Sequence, residues 1–115
     1  MIEFFNRQGR ATALCDGQSI YLWDGRPVAY LLDEKVFAFS GRFIGWLSDG
    51  WITDAEGKCL LFESDAVRGP GKPQCTEKPA KGVPQAKPMR RALQVTPPRP
   101  TGRTEWSDLA FAELV

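Results

Sequence analysis

The stretch SIYLWDGRPVAYLLDEKVFAFSGRFIGWLSDG, residues 19–50, carries one pattern twice. Gly25 and Gly41 stand sixteen residues apart, and each is followed by arginine. Sixteen residues before Gly25 is Gly9, followed by Arg10, and sixteen after Gly41 is Gly57, followed by Lys58. Five residues before each glycine stand Phe4, Ile20, Val36 and Ile52; five after it stand Leu14, Tyr30, Trp46 and Phe62. Eight residues after it come Gly17, Asp33, Asp49 and Asp65, all turn formers. Four matches in phase, with matching flanks, establish an internal repeat.

The unit is a β-hairpin. Asp24-Gly25 lies between SIYLW and RPVAYLL, and Ser40-Gly41 between KVFAF and RFIGWL, all rich in β-branched and aromatic residues. Asp-Gly between such runs marks a tight turn, because its residues tolerate positive φ. A helix carrying a turn signal every eight or so residues is implausible. The first and last repeats, with NRQG and DAEG, read as longer and less regular connections. With two-residue turns, Tyr21 opposes Val28, Ser19 opposes Tyr30, Phe37 opposes Ile44 and Lys35 opposes Trp46. Both faces of the strands are apolar, and Ala13, Ala29 and Gly45 recur as small residues on one of them. A sheet with one wet face would alternate apolar and polar residues instead. The hairpins are therefore expected around an axis, with the small residues at its centre and the bulky aromatic set between neighbours.

Charge and proline divide the chain. Residues 1–64 hold six Lys/Arg and nine Asp/Glu; residues 65–104 hold nine Lys/Arg, two Asp/Glu and eight of the nine prolines. Proline fixes φ and removes donors, so this second region is expected to be extended, not helix or central strand. The expected organisation is a four-hairpin domain over 1–66, a basic proline-rich tail over 67–104, and a short apolar segment, EWSDLAFAELV, over 105–115. A domain of some 64 residues buries only about 60% of its unfolded surface, so it benefits from cover. Ser107 is placed to cap a short helix bearing Leu109, Phe111 and Leu114, although the alternation also permits a strand. Eleven residues are too few for an independent helix. Trp106, Leu109, Phe111 and Leu114 are therefore expected to dock on the hairpin domain.

The chain has no histidine, which removes the commonest general base and zinc ligand. Cys15, Cys59 and Cys75 form no C-x-x-C pair, and neither a phosphate loop nor a dinucleotide fingerprint is present. The expectation is no catalysis, no metal and no cofactor. Closure of the array would bring Cys15 and Cys59 near each other, leaving either a disulfide or, preferably, two buried thiols. An odd cysteine count, a start MIEFFNRQGR without an apolar secretory core, and no apolar run near the length of a membrane span place the chain in the cytoplasm.

The best candidate site is Arg10, Arg26, Arg42 and Lys58, one per repeat, which pseudo-fourfold symmetry would arrange as an anion-binding ring. The competing reading is local, with Arg26 over Trp23 and Arg42 over Phe39 as cation–π pairs. The tail cations Lys72, Lys78, Lys81, Lys87, Arg90 and Arg91 permit nucleic-acid or anionic-lipid association. That alternative is not favoured, because residues 65–104 contain no aromatic side chain to stack on bases. Neutralisation of the acidic domain by its own tail is the preferred role. The leading function class is a non-catalytic interaction or scaffold module with an unidentified protein partner or self-association; the alternative is nucleic-acid or anionic-lipid binding.

The fourfold turn pattern, the segments SIYLWDGRPVAYL and VFAFSGRFIGWLSDGWI, and the Lys-Pro tail ending in EWSDLAFAELV together resemble the bacterial 4-fold β-flower domain family. The resemblance spans nearly the whole chain and implies four hairpin petals around a pseudo-fourfold axis. It implies no activity and supplies no site residues. The segment QCTEKPAKGVPQ departs from the family's more regular basic-and-proline pattern.

Overall fold

The computed structural model describes residues 1–75, 78–100 and 105–115; the expected domain boundary at 104 adjoins residues outside that set. Eight strands follow one another: β1 (Ile2–Phe5), β2 (Ala11–Cys15), β3 (Ser19–Leu22), β4 (Pro27–Leu32), β5 (Lys35–Ala38), β6 (Phe43–Ser48), β7 (Trp51–Thr53) and β8 (Cys59–Phe62). Each pairs with the next in antiparallel fashion, and Phe5 of β1 meets Phe62 of β8 to close a barrel. The sixteen-residue repeat is one hairpin of this barrel, four times over.

The hairpin turns differ from the expected two-residue form. Leu22 N–H donates to the Arg26 carbonyl and Gly25 N–H to that of Leu22, which closes a larger loop. Gly25, at φ 97°, is the left-handed residue that ends it. This is a three-residue loop with a glycine bulge, a geometry that shares the Asp-Gly signal with the tighter turn. The bulge shifts the register by one residue, so Tyr21 faces Pro27 and Phe37 faces Phe43, although Ser19–Tyr30 and Lys35–Trp46 pair as expected. The first and last repeats are no less regular. Asn6–Gly9–Arg10 and Asp54–Gly57–Lys58 repeat the same pair of backbone bonds, and all four hairpins shift register at the equivalent step. Two-residue connections lie between hairpins: Asp33-Glu34 joins β4 to β5, and Asp49-Gly50, with φ of 54° and 84°, joins β6 to β7.

Alternate strand residues point to the barrel axis. Phe4 pairs with Ala13, Ile20 with Ala29 and Val36 with Gly45, a large residue against a small one each time. Ile52 faces Leu61 in the last hairpin. These axial side chains are buried and belong to one apolar cluster, as an eight-stranded barrel of this kind requires. A Cβ on Gly45 would stand 1.8 Å from the Thr53 carbonyl oxygen, so the β6 and β7 backbones approach there as only glycine allows. The bulky set lies on the outer face of the barrel, where Tyr30 of the second hairpin stacks on Phe37 of the third. Tyr30, Phe37, Phe39, Phe43 and Trp46 form one aromatic cluster. Phe5, Tyr21, Trp23, Trp51 and Phe62 contribute to a second.

The chain's last segment returns to the barrel. Cys59 N–H donates to the Glu105 carbonyl and Ser107 N–H to that of Cys59, adding a short parallel bridge beside β8. Helix α1 (Phe111–Leu114) places Phe111 and Leu114 in the axial cluster. Trp106 sets its ring edge-on to Trp51 and Phe62, with centroids 5.5 and 5.9 Å away. Leu109, expected to dock, is 49% exposed. Ser107 accounts for this difference: its hydroxyl donates to Asp54 and accepts the Leu109 N–H, which turns the chain before the helix begins. Ser107 is therefore a turn residue and not the helix cap, a place taken by Ala110 without a side-chain bond.

Candidate functional site

The outer aromatic face of the barrel is covered by residues 67–75 and 78–100, which run around it as an extended strap. Contact begins where the Trp51 indole N–H donates to the Val67 carbonyl, with Gly69 seated against the indole ring. The strap then meets the hairpin turns in order. A Cβ added to Gly9 would strike the Gln74 carbonyl at 2.0 Å, one on Gly25 that of Val83 at 2.1 Å, and one on Gly41 that of Ala92 at 1.9 Å. Gln74, Val83 and Ala92 lie nine residues apart. Nine residues at polyproline rise span about 28 Å, and four such steps about 110 Å. That is close to the perimeter of a molecule 36 by 35 Å across and 22 Å thick.

The nine-residue step also appears in the side chains. Pro70, Pro79, Pro88 and Pro97 are in phase, as are Lys72, Lys81, Arg90 and Arg99. Lys81 stands 5.6 Å from the Trp23 ring centre, Arg90 4.0 Å from Tyr30 and Arg99 5.8 Å from Trp46. Lys72 donates to the Ser64 carbonyl. Backbone bonds repeat as well: Gly82 N–H to Trp23 O and Gln85 N–H to Gly25 O, then Arg91 N–H to Phe39 O and Gln94 N–H to Gly41 O. The Trp23 indole N–H donates to the Pro79 carbonyl at 2.7 Å. The strap therefore has its own period, although QCTEKPAKGVPQ conceals it. Arg99 was not among the residues singled out from sequence, and the nine-residue spacing of basic residues was the signal that marked it.

The strap's cations lie over the barrel's acids. Lys78 and Lys81 flank Glu3 at 2.9 and 2.6 Å, Arg99 meets Glu34 at 2.6 Å, and Arg68 meets Asp49 at 3.3 Å. Hydrogen bonds from Lys81 and Lys78 hold the Glu3 carboxyl below its usual range. Burial pushes the Asp16 carboxyl up, but the Ser19 and Gln18 N–H groups and nearby Lys87 outweigh it and leave the group acid-shifted. Arg91 is exposed. The cation–π pairs come from the strap, in the place of the expected pairs from Arg26 and Arg42, because the three-residue loops set those arginines opposite Leu22 and Ala38 and not opposite Trp23 and Phe39.

Arg10, Arg26, Arg42 and Lys58 occupy equivalent turn positions around the rim, each with its backbone N–H capped by Asn6, Asp24, Ser40 or Asp54. Arg26 pairs with Asp24, and Lys58 with Glu56. Of the four, Lys58 lines a surface cleft, of about 350 Å³, shared with Asp54 and Asp108. Larger clefts of about 540 and 680 Å³ lie elsewhere, one beside Glu3, Cys75 and Lys78 and one over Trp46, Pro97 and Arg99. Cys15 and Cys59 are buried in different apolar clusters and are not joined by a disulfide, and burial raises the Cys15 pKa. No group of His, Cys, Asp and Glu among the described residues is arranged to hold a metal ion. Among the same residues, no helix is long and apolar enough to cross a membrane.

Four hairpins closed into one antiparallel barrel, with a periodic strap over their turns, define a fourfold-repeat β module. The family model described as 4-fold beta flower protein matches residues 2–115, and the chain belongs to that family. No curated protein and no solved structure shows a significant match to the chain.

Proposed function

We propose that the protein is a non-catalytic interaction module of the cytoplasm, with a rigid barrel that displays the outer edge of its strap to a protein partner. The observation that carries this reading is a row of apolar side chains held in water. Val83 is 82% exposed, and Met89 and Val95 are each 89% exposed. Leaving such groups wet forfeits about 1.5–3 kcal/mol each of burial, and tethers on either side of them hold the backbone in place. Lys87 and Arg91 alternate with this row, so an extended partner segment with apolar and acidic residues matches it. Nucleic acid fits less well, because most of the strap's cations face barrel acids or rings and the aromatic surface lies beneath them.

Cross-linking in the native host, with the wild type and a Met89→Ser/Val95→Ser variant, tests the reading. The variant should melt with the wild type yet lose partners that the wild type captures. Identical partner sets for the two proteins would refute it.

A further inference from the structure

The inward side of the strap carries a different kind of recognition. At the Gly25 and Gly41 turns the strap meets the barrel through the same set of contacts: a basic side chain against an aromatic ring, a carbonyl laid on the turn glycine, and backbone bonds to the same turn. At Trp23 an indole N–H also donates to the proline carbonyl of the strap. Aromatic grooves that hold an extended, proline-bearing, cationic segment in this way are a known mode of peptide recognition between separate chains. Here ligand and groove belong to one chain, and they join through a short connection. Val67 and Gly69 are fixed on Trp51, whereas a Cβ on Gly71 would meet no atom within 4 Å. Gly71 therefore stands in open space between the residues anchored on Trp51 and the arm, whose next contacts are Lys72 on the Ser64 carbonyl and Gln74 on Gly9.

We propose that the rim grooves accept the strap of a second copy of this chain, so that two molecules exchange their arms reciprocally across Gly71. The occupant is identified by complementarity that the chain itself supplies. The grooves recur at the hairpin pitch of sixteen residues, and the strap delivers its basic, proline and carbonyl elements at a pitch of nine. An arm from another copy presents all of these elements in register, and exchange of an identical element leaves the contact set unchanged. Intramolecular docking dominates in dilute solution because the tether keeps the local concentration of the arm high. Exchange grows with protein concentration and with any change that weakens docking in cis. The inference concerns the groove side of the strap and stands apart from the reading of its outer edge.

A charge-reversal pair in the full chain tests it. Glu3 contacts Lys78 and Lys81, so Glu3→Lys sets a barrel against its own arm, as does Lys78→Glu/Lys81→Glu from the other side. Reciprocal exchange between these two variants restores opposite charge at both barrels. Native mass spectrometry of the equimolar mixture should show a mixed dimer at least about tenfold more abundant than either homodimer, and the excess should fall as salt rises. Two variants that fold, by their melting transitions, yet stay monomeric when mixed would overturn the proposal. Should either variant fail to fold, concentrated wild type carries the test. Nitrogen-15-labelled and unlabelled protein, incubated together and then diluted, should yield a slowly separating mixed dimer, and monomer alone would refute exchange.

Discussion

The barrel and the strap solve the same fourfold geometry with different repeats. A quarter of the barrel takes sixteen residues, because each hairpin makes two strands and two turns. A quarter of the strap takes nine, because a single extended chain has only to span the rim. In the barrel every strand pairs with a neighbour on both sides, through a single residue pair where β1 meets β8, and is held by side chains on both faces. The strap is held at points, a few hydrogen bonds and one basic residue per step. Ladder and axial packing make the barrel cooperative, whereas pointwise tethering lets one step of the strap loosen without its neighbours. A substitution inside the barrel should be felt globally. One in the strap should be felt locally.

The largest effect is expected at Gly45. Replacement by valine drives a side chain into the Thr53 carbonyl, where neither backbone has room to move. The cost should reach about 4 kcal/mol or more, enough to unfold a small domain. A cooperative melt near that of the wild type would show that the barrel is softer than its close approach implies. Next in size is Phe111→Ala, which empties part of the axial cluster from the C-terminal side. A loss of about 3 kcal/mol is expected in denaturant unfolding. A change below a few tenths of that would place helix α1 outside the cooperative unit.

Gly82→Val sharpens the contrast. Its Cβ would stand 1.8 Å from the Asp24 carbonyl oxygen, so this step of the strap must lift. Amide exchange should quicken at Gly82 and Gln85, while Arg91 and Gln94 at the next turn stay protected. Uniform loss of protection along the strap would refute pointwise tethering. The smallest effect belongs to Glu3→Gln. The Glu3 carboxyl titrates below its unfolded value, so its contribution is present above about pH 4.5 and lost as pH falls through the folded value. Lys78 and Lys81 are each about half exposed, and solvent screening holds the contribution to about 1 kcal/mol or less. Wild type and variant should differ slightly in Tm at pH 7, and the gap should close as pH falls through the folded value; a gap unchanged down to the acid limit of folding would assign the effect to packing.

How much was legible in the chain follows the same division. The barrel could be read because turn glycines and large axial residues recur in fixed phase, and each position has one dominant role. The bulge could not, because Asp24-Gly25 satisfies a two-residue turn as well as a three-residue loop, and only the Leu22–Arg26 bond distinguishes them. The strap's course was hidden for another reason. Its close approaches to Gly9, Gly25 and Gly41 are made by its own backbone carbonyls, and a carbonyl carries no residue identity. Its nine-residue period of proline and basic residues was visible in principle, yet it resembles neither a helix nor a strand pattern. The glycine-arginine pairs carry two signals at once: turn geometry and strap clearance account for the glycines, while the basic residues stand at equivalent turn positions around the rim. Leu109 was misplaced because Ser107 serves a turn to Asp54, not a helix.

The seam between β1 and β8 has a consequence for synthesis. These strands meet at one residue pair, and the chain reinforces the outer side of that seam with Glu105–Ser107 laid along Cys59. A polypeptide emerging from the ribosome completes β8 long before it supplies the residues that cover it. At about 5–20 residues per second the barrel waits a few seconds with its weakest edge open, the interval in which another nascent chain can pair with it. Slow translation of the proline-rich region lengthens that interval, so yield in the cell should depend on the rate at which residues 67–104 are made.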